Sequence, residues 1–233
     1  MTKKRIFIAA LILAAALPVF SQTDTKTTPT ETVEYSNDKY EAETDRFWNN
    51  CFVNVGAGAQ MYFGDHNRQL KFGDRISPAF DIAVGKWFPS GIGVRLMYSG
   101  LPVKGATQNG AHSNGKAISG KPWYGYWLTE QEFNLSNLHA DVMFDMIRLL
   151  SEKESAWSVS PYVGLGWVHV GDSPKADGVS GNFGVLTSYS LSRMFDLNLD
   201  LRGVLLKDGM DGEKGGHKGE GMLTATVAIS YKF

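Results

Sequence analysis

The sequence lacks most of what would staple, charge or anchor a protein in the usual ways. Cys51 is its only cysteine, so neither an internal disulfide nor a cysteine metal cluster can form. Neither sign of charge dominates: 23 Lys and Arg stand against 24 Asp and Glu, a net of -1. Without a basic excess, no nucleic-acid partner is expected. Beyond residue 20 no apolar run approaches the roughly 20 residues that a spanning helix needs. A hydropathy scan would therefore read most of the chain as soluble, yet such a scan is blind to barrel strands, whose alternating faces average out.

The one long apolar run stands at the front. In "MTKKRIFIAALILAAALPVFSQ", Lys3, Lys4 and Arg5 precede the stretch from Ile6 to Phe20, and Val19 and Ser21 place small residues at a cleavage site. That is the layout of a secretory signal peptide over residues 1–21. No cysteine stands at the cut, so it is not a lipoprotein signal. About 210 residues then remain with a formal charge of about -4, enough for one domain or one barrel. Residues 22–46, rich in Thr, Glu, Asp and Lys, have too little apolar surface to offset ordering entropy and read as a disordered segment.

From Trp48 the character changes, and residues 47–233 read as one unit. "CFVNVGAGAQMYFG" puts Val53, Val55, Ala57, Ala59, Met61 and Phe63 on one face, with Asn54, Gly56, Gly58 and Gln60 on the other. Period two means a strand, here long enough to cross a bilayer at a tilt. "SPAFDIAVGKWF" and "IGVRLMYS" repeat the pattern around the tight turn 89–91, as a hairpin. "LSNLHADVMFD", "WSVSPYVGLGW", "GNFGVLTSYSL", "DLNLDLRGVLL" and "LTATVAISYKF" supply five more. "WSVSPYVGLGW" is the weakest, because Pro161 lacks a ladder donor. The connectors alternate: 64–76, 100–132, 170–180 and 206–221 are long, polar and Gly-rich, whereas 89–91, 146–156 and 192–195 are short. Eight strands joined in this way predict an all-β fold, an eight-stranded antiparallel up-and-down transmembrane barrel with long loops outside and both termini on the periplasmic side.

Aromatic residues supply a second signal. Trp48, Trp87, Phe88, Trp157, Phe195 and Phe233 fall near the short-turn ends, and Tyr62, Phe63, Tyr98 and Trp167 near the long-loop ends, as two interfacial girdles would. A soluble lipocalin-like barrel would bury its apolar face inward and has no need of two such rings.

If the apolar faces meet lipid, the other faces line the lumen. They carry Asp81, Arg95, His139, Asp141, Asp145, Asp200, Arg202 and Lys232. An eight-stranded barrel has room inside only for side chains, so these charges are expected to pair as a structural plug. Arg95 and Asp141 lie at similar heights on neighbouring strands and form the favoured ion pair. "LHAD" also places His139 and Asp141 two apart on one face, a spacing that lets a carboxylate orient a histidine. No motif marks a nucleophile, however, so no catalytic residue is assigned.

In the loops, "KDGMDGEKGG" gathers Asp208, Asp211 and Glu213, but their spacing fails the EF-hand pattern, and neither metal nor cofactor is expected. "KPWYGYWL" groups Trp123, Tyr124, Tyr126 and Trp127 in the longest loop, where they fold over the rim or meet an extracellular ligand. The glycine pairs of "VGAGA" and "VGLGW" sit inside strands with no following helix and are no dinucleotide fingerprint.

Together, "FGDRISPAFDIAVGKWFPSGIGVRLMYSG", "LSNLHADVMFD", "PYVGLGW", "LDLNLDLRGVLL" and the "YKF" ending resemble the barrel domain of the outer membrane protein A family in its Bacteroidetes form. The resemblance spans most of Trp48 to Phe233. It implies an outer-membrane barrel of a diderm bacterium with a role in envelope integrity and surface contacts and no catalysis, the alternatives being a narrow porin-like channel or an enzyme using His139 and Asp141. Members of that family continue into a periplasmic peptidoglycan-binding domain. This sequence stops at Phe233, so peptidoglycan anchoring is not carried over. The expected partners are outer-membrane lipid and the outer-membrane assembly machinery, for which Ile229, Tyr231 and Phe233 form the alternating apolar signal, and the barrel is expected to be a monomer.

Overall fold

The computed structural model describes residues 48–118, 127–151, 155–214 and 219–233. The expected signal peptide, the segment 22–46 and Trp123, Tyr124 and Tyr126 of the aromatic loop lie outside the described residues. Period-two alternation is realised as strands: β1 (Cys51–Phe63), β2 (Ile76–Trp87), β3 (Ile92–Thr107), β4 (Ser113–Ala117), β5 (Thr129–Phe144), β6 (Trp157–Val170), β7 (Ala176–Ser190), β8 (Phe195–Lys207) and β9 (Gly219–Lys232). β4 is a short ribbon on the outer end of β5. The other eight form a closed antiparallel wall, because β3 pairs with β5 and β1 with β9 as well as with their sequence neighbours. Closure leaves no sheet edge in hydrocarbon, where an unpaired backbone is very costly. Among the described residues no helix is long and apolar enough to cross a membrane.

The seam runs from Phe52↔Lys232 to Phe63↔Gly221 without a break. One further bond, from the Phe233 N–H to the Cys51 carbonyl (2.9 Å), extends it to the last residue. Pro161 does not interrupt β6, which pairs with β7 from Trp157↔Tyr189 to Val170↔Ala176.

The strands run further outward than the sequence pattern suggests. β3 continues to Thr107, β5 starts at Thr129, and the β6–β7 connector shrinks to 171–175, so the long loops read over 100–132 and 170–180 are in good part ladder. The physical reason is visible on β5. Leu138, Ala140, Val142 and Phe144 point outward and Asn137, His139 and Asp141 inward. Towards the loops the sense reverses: Phe133 and Leu135 are buried inside, while Glu132 and Asn134 face out. β6 turns over likewise, with Val163, Leu165 and Trp167 exposed but Val168 and Val170 buried. Apolar-out alternation is what signals a membrane strand, and it stops here although the hydrogen-bonded ladder does not.

Two aromatic assignments are corrected. Tyr62 and Trp87 belong to neither girdle: Tyr62 is fully buried within the barrel, and Trp87 packs against Phe52, Met143, Tyr162 and Leu186. With Phe63 and Ile82 turned outward, strict alternation sends residues 62 and 87 inward. Trp48, Phe63, Phe88, Tyr98, Trp157, Trp167, Phe195 and Phe233 remain exposed at the two ends.

Candidate functional site: the barrel lumen and its outer mouth

The inward faces build three layers. Nearest the short turns lie Phe52, Met143, Tyr162 and Leu186. Towards the loops lies a larger apolar cluster that includes Tyr62, Val103, Phe133, Val168, Val170 and Met222. Between them is a charged layer that ties opposite walls together.

Arg95 of β3 is its hub. Its Nε donates to Asp141 Oδ2 at 2.9 Å, its Nη2 lies 2.8 Å from the same oxygen, and its Nη1 donates to Asp200 Oδ2 at 2.8 Å. The guanidinium lies over the Tyr162 ring, 4.4 Å from its centroid, a favourable cation–π arrangement. The Tyr162 hydroxyl donates to the other Asp200 oxygen at 2.5 Å. Asp141 is Arg95's neighbour across the β3–β5 ladder, whereas Asp200 is on β8, four strands away around the wall. Arg202 makes a second crossing, donating to Asp81 of β2 at 2.8 Å, and Asp81 also accepts from the Thr226 hydroxyl at 2.9 Å. The Arg95, Asp141, Asp200, Arg202 and Asp81 side chains are 0 to 2% exposed. Charges so buried persist only when paired and hydrogen-bonded.

Two of the expected lumen charges sit outside this layer. Asp145 is buried at the turn end, where it caps α1 (Met146–Leu150) by accepting from the Ile147 and Arg148 N–H groups and also accepts from the Ser158 hydroxyl at 3.0 Å. Lys232 pairs with Asp196 at 2.8 Å at the lower end of the seam. Sequence reasoning turned Thr226 inward without giving it a partner and missed Asp196 and Tyr162, although both lie on the inward parity of an assigned strand.

His139 Nδ1 lies 2.7 Å from Asp141 Oδ1. The dyad geometry is thus present, but Asp141 is shared with Arg95 and the imidazole is 1% exposed. The nearby Ser180 hydroxyl donates to Asn137 at 2.8 Å, so it is committed elsewhere. Glycine makes this close packing feasible: a Cβ at Gly164 would overlap the Asp141 carboxylate and the Ala140 carbonyl.

The outer mouth carries a second polar cluster, which the sequence placed in loops. Glu220 accepts from the Gly209 N–H at 2.7 Å and the Met210 N–H at 3.2 Å, and also from the Tyr62 hydroxyl. Glu213 Oε1 accepts from the Thr107 hydroxyl (2.7 Å) and from the Gln108 (2.6 Å) and Asn109 (2.8 Å) N–H groups. Its Oε2 lies 3.3 Å from His66 Nε2. Asp211 is buried beside them, and burial pushes its carboxyl up to about 6. No group of three or more His, Cys, Asp or Glu suited to a metal ion occurs among the described residues.

No family model matches the sequence. Outer membrane protein 40 of Porphyromonas gingivalis is 24% identical over 201 residues, covering 81% of this chain and 48% of the relative. The chain therefore spans about half the length of the curated relative it matches. Among solved structures, Neisserial surface protein A has a TM-score of 0.45 at 16% identity, covering 79% of this chain and 97% of that one. A major outer membrane protein from Thermus thermophilus has a TM-score of 0.45 at 16% identity, covering 78% and 99%. Ail, the attachment invasion locus protein of Yersinia pestis, has a TM-score of 0.42 at 10% identity, covering 78% and 97%.

Proposed function

Taking the chain as an eight-stranded barrel of the outer membrane, we propose that it serves as a non-catalytic structural and surface-contact protein of the envelope. The observation that carries this reading is the filled lumen: two apolar layers enclose a layer in which Arg95 and Arg202 are tied to carboxylates on distant strands. A water path would have to strip both arginines of their partners, which argues against the porin-like alternative. An enzyme using His139 and Asp141 is disfavoured because His139 is buried within the lumen and the nearby Ser180 hydroxyl is committed to Asn137.

The remaining parts follow from the same reading. Residues 1–21 direct export and are removed, 22–46 extend into the periplasm, and 47–233 form the membrane domain. The outward apolar band, such as Val142 and Phe144 on β5, meets lipid as a monomer. The reversal of sidedness near Leu135 and Trp167 marks where the wall leaves the bilayer, so β4 and residues 208–214 lie beyond the membrane surface, placed to meet an extracellular ligand. Ile229, Tyr231 and Phe233 face outward at the lower end of β9 and act as the signal for the outer-membrane assembly machinery.

Planar-bilayer recording of the refolded protein tests the main claim. Closed bilayers, with heat-modifiable gel mobility of the outer-membrane fraction, are the expected result. Steady open channels would replace this reading with the porin-like one, and unshifted mobility of a soluble periplasmic protein would remove the barrel assignment itself.

A further inference from the structure

The turn after β8, residues 208–214, is folded across the outer mouth and held from several sides. Met210 is 3% exposed and sits in the outer apolar cluster. Glu213 reaches over to the end of β3, with its second oxygen against His66 of the β1–β2 connector. Gly212 adopts φ +83 where a Cβ would press on Ala111 and on Pro174 of the β6–β7 connector. One short turn therefore touches every other outer connection of the barrel.

Its weak point is Asp211. The carboxyl is 1% exposed; Oδ1 accepts from the Glu213 N–H at 2.9 Å, while Oδ2, turned towards Gly64, makes no well-formed hydrogen bond and has the Gln131 side chain as a nearby donor. The groups that face it are Tyr62 of β1, Asp65 of the β1–β2 connector, Gln131 of β5, Glu220 of β9 and its own neighbour Glu213. All five are acidic or neutral, and His66 is engaged by Glu213. A buried carboxylate in such company is strongly disfavoured, whereas a neutral carboxyl is not and can donate from its second oxygen.

We infer that the turn 208–214 is a proton-operated lid: with the Asp211 carboxyl protonated it seals the outer mouth and seats Met210, and on ionisation it lets go. The closed lid binds the proton more tightly than an open one, so its stability is complete at acid pH and is lost as pH rises through about 6. The difference from the ordinary carboxyl value of 3.8 limits the change in opening equilibrium to about 100-fold. Glu213 keeps its three donors throughout and acts as the clamp; Asp211 is the switch, and Glu220, which holds the Gly209 and Met210 N–H groups and whose carboxyl is raised by burial and by the Asp211 charge, broadens the step towards higher pH.

Methionine oxidation by dilute peroxide reads the lid directly, since Met210 rides on the turn and is buried in the outer apolar cluster while the turn is closed. Met194, 52% exposed, is the open reference, and Met97, fully buried, the closed one. On the folded barrel in detergent or vesicles, oxidation of Met210 relative to Met194 should rise by about tenfold or more between about pH 4.5 and about pH 7.5. Asp211→Asn, neutral at both, should hold Met210 protected throughout, and Glu213→Gln should raise oxidation at both while keeping the step. A flat wild-type profile, an unchanged step in Asp211→Asn, or loss of the step in Glu213→Gln would each overturn the lid. Should Asp211→Asn not fold, the wild-type and Glu213→Gln profiles still decide. None of these outcomes bears on the outer-membrane reading, which bilayer recording tests separately.

Discussion

Replacing Arg95 by methionine keeps most of the side chain's volume and removes the guanidinium on which the charged layer turns. Asp141 and Asp200 would be left with 0% and 2% side-chain exposure. Asp141 would retain only His139, and Asp200 only the Tyr162 hydroxyl, among the bonds that now hold them. Removing one partner of a buried pair leaves an uncompensated charge and costs about 3 to 5 kcal/mol. Here two carboxylates lose the same cation, so the upper end of that range is expected. Urea titration of the barrel refolded into vesicles, followed by tryptophan fluorescence and gel mobility, gives the number. The triple variant Arg95→Met, Asp141→Asn, Asp200→Asn should recover most of it, because no charge is then stranded and a well-packed neutral layer is often no less stable than a buried ion pair. A loss below about 1 kcal/mol for Arg95→Met, or no recovery in the triple variant, would refute the idea that these groups hold one another.

Other consequences can be checked separately. Gly164→Ala should cost about 1 to 3 kcal/mol in the same titration, since the new methyl pushes Asp141 off both His139 and Arg95. Leu199→Arg, on the outward face within the apolar band, should destabilise by about 2 to 4 kcal/mol, whereas Glu132→Arg, beyond the reversal of sidedness, should change stability by under about 0.5 kcal/mol; equal effects would mean that the reversal does not mark the bilayer edge. Deleting Phe233 should slow assembly into the outer membrane in cells far more than it lowers equilibrium stability in vesicles, as judged by the time course of heat-modifiable protein.

The wall of the barrel was legible because alternation is a local signal: each strand states its own sidedness within ten residues. The Arg95–Asp141 pairing was legible too, since both residues lie at a similar depth from the short-turn ends of neighbouring strands. Asp200 was not, because nothing local reports which residue four strands away lies opposite across the lumen. The strand extensions of β3 and β5 escaped for a different reason. Outside the apolar band the inward face becomes the apolar one, so a pattern sought as apolar-out fades at Leu135 although the ladder runs on to Thr129. Tyr62 and Trp87 were misplaced when aromatic character was weighed above parity, yet parity alone sends both inward. The acids at the mouth were read as solvated loop charges because only the folded turn brings Asp211 and Glu213 under cover.

The ties across the lumen also bear on the order in which the barrel is completed. Arg95 and Asp141 are 46 residues apart and meet as soon as β3 and β5 pair, whereas Arg95 and Asp200 are 105 apart. The second bond must wait for β8. Until then Asp141 alone faces the guanidinium, and a half-built sheet carries an arginine one partner short on the side that will become its interior. The Asp200 bond thus forms only once β3 and β8 face each other across a nearly complete wall, so a barrel lacking the β8–β9 hairpin loses both that bond and the β1–β9 seam. Variants at Asp200 should accordingly leave the early rate of assembly unchanged and speed the loss of finished barrels.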